Sequence, residues 1–182
     1  GKISPVKTVS FDYDNADRLS NWSSAPYSAS YNYDELSRVT SIINNYPGFS
    51  KIVSYTYDRF GNRDTLAYPD NIETLTYTYN ALNRLTELTT HDSQLTTYQY
   101  DDGGRLTKKT LPNGIYTDYV YDDGNRLTSL INKKSDTSLL SSFGYTHDNV
   151  GNRLTMTADE GTYDYTYDNI YRLTTADHPA TI

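Results

Sequence analysis

YVYDDGNRLT, residues 119–128, decides how the chain reads. Tyr119 and Tyr121 stand two apart, so on an extended strand, where side chains alternate, both rings face one side. Asp122 follows, a residue type that bonds its own backbone and starts turns. Gly124-Asn125 supplies the positive φ of a tight hairpin, expected at Gly124. Arg126-Leu127-Thr128 then opens a return strand. The stretch reads as a β-hairpin.

The same pattern recurs along the chain: aromatic-x-Tyr-Asp, three or four residues, then Arg-Leu-Thr. It occurs eight times, with copies beginning at Phe11, Tyr31, Tyr55, Tyr77, Tyr98, Tyr119, Tyr145 and Tyr165, separated by 20 to 26 residues. The signature of the second copy is Tyr31, Tyr33, Asp34 and Arg38; of the third, Tyr55, Tyr57, Asp58 and Arg63. The fourth has Tyr77, Tyr79 and Arg84, with Asn80 replacing Asp. Tyr98, Tyr100, Asp101 and Arg105 form the fifth, and Tyr119, Tyr121, Asp122 and Arg126 the sixth. The seventh keeps Tyr145, Asp148 and Arg153 but places His147 at the second tyrosine, and the eighth has Tyr165, Tyr167, Asp168 and Arg172. Val39 replaces Leu in the second copy, and Asp64 breaks Arg-Leu-Thr after Arg63. Gly61-Asn62, Gly103-Gly104, Gly124-Asn125 and Gly151-Asn152 are the expected positive-φ pairs. Further turn signals lie about half a repeat on, at Pro69-Asp70-Asn71 and Pro112-Asn113-Gly114.

Two strands per repeat, with no helical period between them, predict an all-β fold without a helical domain: an elongated antiparallel sheet of tandem hairpins. About 16 strands at ~4.8 Å each would run ~75 Å. Open sheets rarely exceed about ten strands without curling, so this one is expected to curl. Residues 1–10 form an N-terminal flank, 11–175 one continuous repeat array and 176–182 a tail. Arg126, Thr128 and Leu130 would share one face, with Leu127 and Ser129 on the other, so neither face is cleanly apolar.

Composition agrees with thin, partly polar layers. Leu, Ile, Val and Phe make up 35 of 182 residues, while 20 tyrosines bring rings that can bury with a wet hydroxyl. The net charge of -7 argues against nucleic acid. With no cysteine there is neither a disulfide frame nor a thiolate metal site. No apolar run approaches the ~20 residues of a membrane-spanning helix. The start, Gly-Lys-Ile-Ser-Pro, is no signal peptide and looks like the beginning of an excised piece.

YTYDRFGNR (55–63) and YDDGNRLTSL (121–130) resemble the RHS/YD-repeat family of bacterial RHS proteins and animal teneurins, over residues 11–175. The resemblance implies a spiralling β-sheet that closes into a hollow shell, which in bacterial members encapsulates a C-terminal toxin. Toxin-bearing members also carry a self-cleaving C-terminal segment with an Asp-Pro and glycine-rich signature. This sequence lacks it, ending Ala176-Asp177-His178-Pro179, so encapsulation is expected of the family rather than of this piece alone.

Catalytic patterns give way to architecture. Asp-Arg pairs such as Asp34/Arg38 recur at every turn, where a glycosidase needs one special carboxylate pair in a cleft. They read as turn initiators whose arginines lie along tyrosine rings. His91-Asp92-Ser93 holds the residue types of a hydrolase triad, but strand neighbours point to opposite faces and cannot form the relay. Three scattered histidines do not assemble a metal site. Asp101-Asp102-Gly103 and Asp122-Asp123-Gly124 lack the further acidic ligands of a calcium loop. No catalytic residue, cofactor or metal is expected. The leading expectation is a secreted or cell-surface structural segment that contributes to a shell or scaffold. Its partners would be neighbouring repeats or identical chains at open sheet edges. Rows of tyrosine that stack on cell-surface glycans form one alternative, and a self-assembling fibre subunit another.

Overall fold

A computed structural model describes residues 8–69 and 73–179. All its regular elements are strands, apart from a single 3₁₀ residue at Pro69. In residues 1–94 they are β1 (Ser10–Tyr13), β2 (Leu19–Ser24), β3 (Tyr27–Tyr33), β4 (Val39–Tyr46), β5 (Phe49–Tyr57), β6 (Arg63–Ala67), β7 (Thr74–Tyr79) and β8 (Leu85–Thr89). In residues 95–182 they are β9 (Leu95–Tyr100), β10 (Leu106–Thr110), β11 (Tyr116–Tyr121), β12 (Leu127–Lys133), β13 (Leu139–His147), β14 (Arg153–Ala158), β15 (Gly161–Tyr167) and β16 (Leu173–Asp177). Within each of these two stretches the hydrogen-bonded order is the chain order. The sixteen strands are the two per repeat that the eight sequence copies imply.

The eight signature turns share one geometry. In each, the amide of the Asp (Asn80 in the fourth) donates to the carbonyl four residues on, and the amide three residues on donates back to the Asp carbonyl, at 2.8 to 3.2 Å. This is a three-residue loop, a type I turn followed by one left-handed residue, and not the two-residue turn a Gly-Asn pair suggests. The left-handed position always falls third after the Asp: Asp17, Ser37, Gly61, Asn83, Gly104, Asn125, Gly151 and Tyr171. Gly61 and Gly151 therefore hold the positive φ expected of them. In the sixth copy it belongs to Asn125 (φ 64°) and not to Gly124, and in the fifth to Gly104 and not Gly103. The same loop closes at Thr90–Gln94, Leu111–Ile115 and Lys134–Ser138. The Pro112-Asn113-Gly114 signal thus marks a turn as read, with Gly114 at φ 79°. Of Pro69-Asp70-Asn71, the last two residues lie outside the described ones.

Each signature hairpin also carries a bulge on the residue six after the aspartate, which is the threonine of Arg-Leu-Thr in five copies and Ser20, Asp64 and Leu154 in the first, third and seventh. Tyr121 pairs with Leu127 while Val120 pairs with Ser129, leaving Thr128 unpaired. Thr40 is skipped in the same way in the second copy and Thr174 in the eighth. The hydroxyls of Thr86 and Thr128 donate to the opposing Thr78 and Val120 carbonyls, at 3.1 and 3.2 Å. Because the bulge interrupts the period of two, the strict face assignment of residues 126–130 does not carry through it.

There is little dry interior. Ala29, 1% exposed, is the one buried apolar residue among the described residues. Stabilisation comes instead from cross-strand pairs, each worth about 0.2–1 kcal/mol. In five copies the first tyrosine stands opposite a large apolar partner: Tyr31 opposite Ile42, Tyr55 opposite Leu66, Tyr77 opposite Leu88, Tyr119 opposite Leu130 and Tyr145 opposite Met156, whereas Tyr98 stands opposite Lys109. The residue between the two tyrosines is exposed, and there threonine hydroxyls pair across strands, as in Thr56–Thr65 and Thr146–Thr155, both 2.7 Å.

A β-branched residue at the left-handed position is strained by ~1–3 kcal/mol, whereas Val150 and Ile170 already occupy the position before it. Asn125→Val should therefore lower the denaturation midpoint clearly more than Gly124→Val. Thr137→Gly, at φ 69°, should raise stability by about 1 kcal/mol. Chemical denaturation of the three variants checks this. Equal midpoints for the two valine variants would refute the turn register.

Candidate functional site

The tips of the signature hairpins are where the most regular chemistry gathers. Asp Oδ1 accepts two backbone amides, from the residues two and four further on. Asp34 takes Leu36 and Arg38 at 2.9 Å each, and Asp148 takes Val150 and Asn152 at 3.0 and 2.8 Å. An amide oxygen does this equally well, so Asn80 serves the fourth copy, accepting from Leu82 and Arg84 at 3.0 and 3.1 Å. Oδ2 of the aspartates is left for the side chain four residues on. Arg18, Arg38, Arg105, Arg126 and Arg172 donate Nε to it at 2.6–2.7 Å.

The arginine then reaches forward to the next repeat. Arg18 Nη1 donates to the Asp34 carbonyl at 3.2 Å, Arg38 to Asp58 at 3.3 Å, Arg105 to Asp122 at 3.1 Å and Arg126 to Asp148 at 2.6 Å. The guanidinium lies over the second tyrosine of that next repeat: Arg18 over Tyr33 at 4.5 Å, Arg38 over Tyr57 at 4.6 Å and Arg105 over Tyr121 at 5.2 Å. The tyrosine hydroxyl answers backward. Tyr33 donates to the Leu19 carbonyl (2.7 Å), Tyr57 to Val39 (2.7 Å), Tyr79 to Arg63 (3.0 Å), Tyr121 to Leu106 (3.0 Å) and Tyr167 to Arg153 (2.9 Å). Within each unit, successive repeats are thus tied in both directions.

Two copies depart in one shared way. Counting from the aspartate, Asn62 and Asn152 stand at the arginine position and donate Nδ2 to Asp58 and Asp148 Oδ2 at 2.9 and 2.8 Å. Arg63 and Arg153 are displaced by one residue onto the leucine position. There they turn to the first tyrosine of their own copy, over Tyr55 and Tyr145, both at 4.9 Å. Asp64 accordingly does not break the motif; it occupies the threonine position of a copy whose arginine has moved. The spacing of three or four residues before Arg-Leu-Thr was the signal for this, hidden by aligning on the arginine. The apolar partners Leu66, Leu88, Leu130 and Met156 also went unread, although the recurrent Leu-Thr-x-Leu of residues 85–88 and 127–130 marks two of them.

His147 takes the tyrosine position that Arg126 would cover. His91, Asp92 and Ser93 share one tight loop, in which Asp92 is held by the Thr90 hydroxyl and Ser93 takes φ 64°. No relay geometry results. The rings of Tyr33, Tyr57 and Tyr121 are covered by guanidinium groups and their hydroxyls tied to carbonyls, which removes the physical basis for sugar stacking at those positions. No group of three or more His, Cys, Asp or Glu placed to hold a metal ion occurs among the described residues, and no helix is long and apolar enough to cross a membrane.

The RHS Repeat family model matches residues 79–115 and 100–137. Residues 79–137 carry RHS repeats. No curated protein matches it. Among solved structures, the TcdB2–TccC3 crystal structure shares 16% identity over 92% of this chain and 13% of its own, with a TM-score of 0.45. A Tc holotoxin pore from Photorhabdus luminescens with a TccC3 variant shares 16% over 92% of this chain and 12% of its own, with a TM-score of 0.43. The RHS-repeat chain thus spans about an eighth of the length of these solved chains.

The repeat aspartates are held below the ordinary carboxylate range. For Asp122 the leading cause is the Arg126 backbone amide, and for Asp14 the Arg18 side chain. The unfolded chain therefore binds protons where the folded one does not. The resulting stability is fully present above about pH 4, the usual aspartate value, and is lost as pH falls through the depressed folded values. Melting temperature should be flat near neutrality and fall in acid. Asp122→Asn keeps the Oδ1 role, so its deficit against the wild type should be largest near pH 7 and shrink by pH 3. A deficit independent of pH would remove the carboxylate from this role.

Proposed function

We propose that the chain is a structural stretch of a secreted RHS-repeat protein and acts as a scaffold without catalysis of its own. Residues 11–175 would form one repeat array, flanked by 1–10 and 176–182, that curls as part of a shell or extended surface wall. The observation that carries this reading is the turn-to-turn ladder of tyrosine, aspartate and arginine. Twelve contacts, four from arginine to carbonyl, five from tyrosine hydroxyl to carbonyl and three of arginine over tyrosine, bind hairpins to one another, and none converges on a reacting centre. A sheet lacking a dry core needs such ties between repeats to hold its curvature.

The ladder also supports a particular partner. Its first ring, Tyr13, is 61% exposed, and its last arginine has a side chain 75% exposed, against 27% for Arg38. Arg172 keeps its ion pair to Asp168 at 2.7 Å yet covers no tyrosine among the described residues. A further repeat, or a second copy presenting its own Tyr13, would supply the ring, with β16 pairing against the incoming β1. Such a head-to-tail contact is heterologous and builds a closed ring or an open filament according to the rotation it imposes.

Sedimentation velocity over a concentration series tests this. The isolated chain should grow beyond a monomer, and Arg172→Ala should shift that growth to higher concentration without changing the circular dichroism. A wild type that stays monomeric at high concentration sinks the proposed edge contact.

A further inference from the structure

Where asparagine replaces the turn arginine, the ladder is incomplete. Asn62 reproduces the near contacts of an arginine, with Asp58 Oδ2 at 2.9 Å and Asn83 Oδ1 of the next turn at 3.0 Å. The second resembles the contact of Arg105 with Asn125 Oδ1, also 3.0 Å. Its amide is too short to lie over Tyr79 as Arg38 lies over Tyr57. A cleft of about 280 Å³ opens there instead, bordered by Asp58, Asp64, Tyr77, Tyr79, Asn80 and Asn83. The seventh copy, with Asn152, has the corresponding cleft of about 410 Å³, bordered by Asp148, Leu154, Tyr165, Tyr167 and Asp168. Space of about 370 Å³ also opens beside Arg126, next to Gly124 and Gly151, so the residues that border the Asn62 cleft, and not the space alone, identify it with the missing guanidinium.

We infer that the cleft between the Asp58 and Asn80 turns binds the guanidinium group of an arginine presented by another polypeptide. The chain itself shows what fits. In the arginine copies the equivalent space holds a planar cation against an Asp carboxylate, the first carbonyl of the next turn and the face of its tyrosine. At the third copy Asp58, the Asn80 carbonyl and Tyr79 stand in those three places. Asp64 adds a second carboxylate where other copies have threonine. Arg63 is not among the residues bordering the cleft: it lies over Tyr55 at 4.9 Å and, more distantly, over Tyr77 at 5.9 Å. A lysine would bring charge without the planar fork that matches carboxylate, carbonyl and ring together. The cleft at Asn152 is the weaker of the two: Leu154 replaces Asp64, and Asp168 is already paired with Arg172 at 2.7 Å. The inference is independent of the scaffold reading, since the cleft lies wholly within residues 58–83.

The test is titration of the full chain, following the side-chain amide resonances of Asn62 and Asn83. The probes are an acetylated arginine-containing tripeptide, its lysine counterpart and guanidinium chloride at low concentration. The arginine peptide should give saturable shifts and bind severalfold more tightly than either other probe. Asp64→Asn should weaken it severalfold at unchanged melting temperature. Asn62→Arg, which fills the cleft from within, should abolish binding while the melting temperature holds or rises. Absence of saturation, equal affinity for lysine, or binding that survives Asn62→Arg would overturn the assignment. Guanidinium chloride binding as tightly as the peptide would overturn its polypeptide source.

Discussion

One carboxylate oxygen accepting two backbone amides sets the frame on which the other contacts are placed. An aspartate whose Oδ1 receives the amides two and four residues on closes a loop of fixed length. That fixes where the return strand begins and which residue takes a left-handed φ. Every side chain in the ladder is then placed by counting from the aspartate. The residue four on must meet Oδ2, the residue five on must offer its carbonyl to the next tyrosine, and the residue six on must bulge. The constraint is local, so it can be copied. Repeat architectures rest on this property, each unit contacting its neighbours through the same few groups.

Tyrosine suits such a sheet because it is neither a core residue nor a surface one. A stack with one buried apolar residue cannot draw on ordinary interior packing. Where the turn arginine is kept, the second tyrosine presents its ring to a cation on one side and spends its hydroxyl on a carbonyl of the previous repeat, as Tyr33, Tyr57 and Tyr121 do. In five copies the first tyrosine stands opposite Ile42, Leu66, Leu88, Leu130 or Met156 on the neighbouring strand. Contacts of about 0.2–1 kcal/mol each become sufficient only by repetition. Individual copies can therefore drift, as at His147 or Asn80, without losing the fold.

The number of strands, their antiparallel order and the position of the hairpins were legible because period and turn residues are written in the sequence at regular intervals. What was hidden had one cause. Letters were aligned on Arg-Leu-Thr, whereas the backbone counts from the aspartate. Aligned on letters, Gly124 looks like the strained turn residue and Asp64 like a defect. Counted from Asp122 and Asp58, Asn125 takes the left-handed position and Asp64 stands in the place of a threonine. The bulge was unreadable for a related reason. A threonine in a strand looks ordinary until its neighbours' pairing shows that it is the extra residue, as Leu127 and Ser129 show for Thr128.

The arginine's one-residue displacement carries a consequence for how such arrays diversify. Moving it from the fourth to the fifth place after the aspartate changes neither loop length nor register, since Asn62 and Asn152 still satisfy Oδ2. What it changes is the partner: the guanidinium leaves the second tyrosine of the next repeat for the first tyrosine of its own, as Arg63 does with Tyr55 and Arg153 with Tyr145, Arg63 also lying 5.9 Å from the Tyr77 ring. A cleft with carboxylate and aromatic walls takes its former place. A repeat can thus gain a recognition site at almost no structural cost, because the turn is held by the aspartate and not by the arginine. In a sheet made of copies, function is most economically written where a side chain of the ladder has been withdrawn while the backbone that carried it remains unchanged.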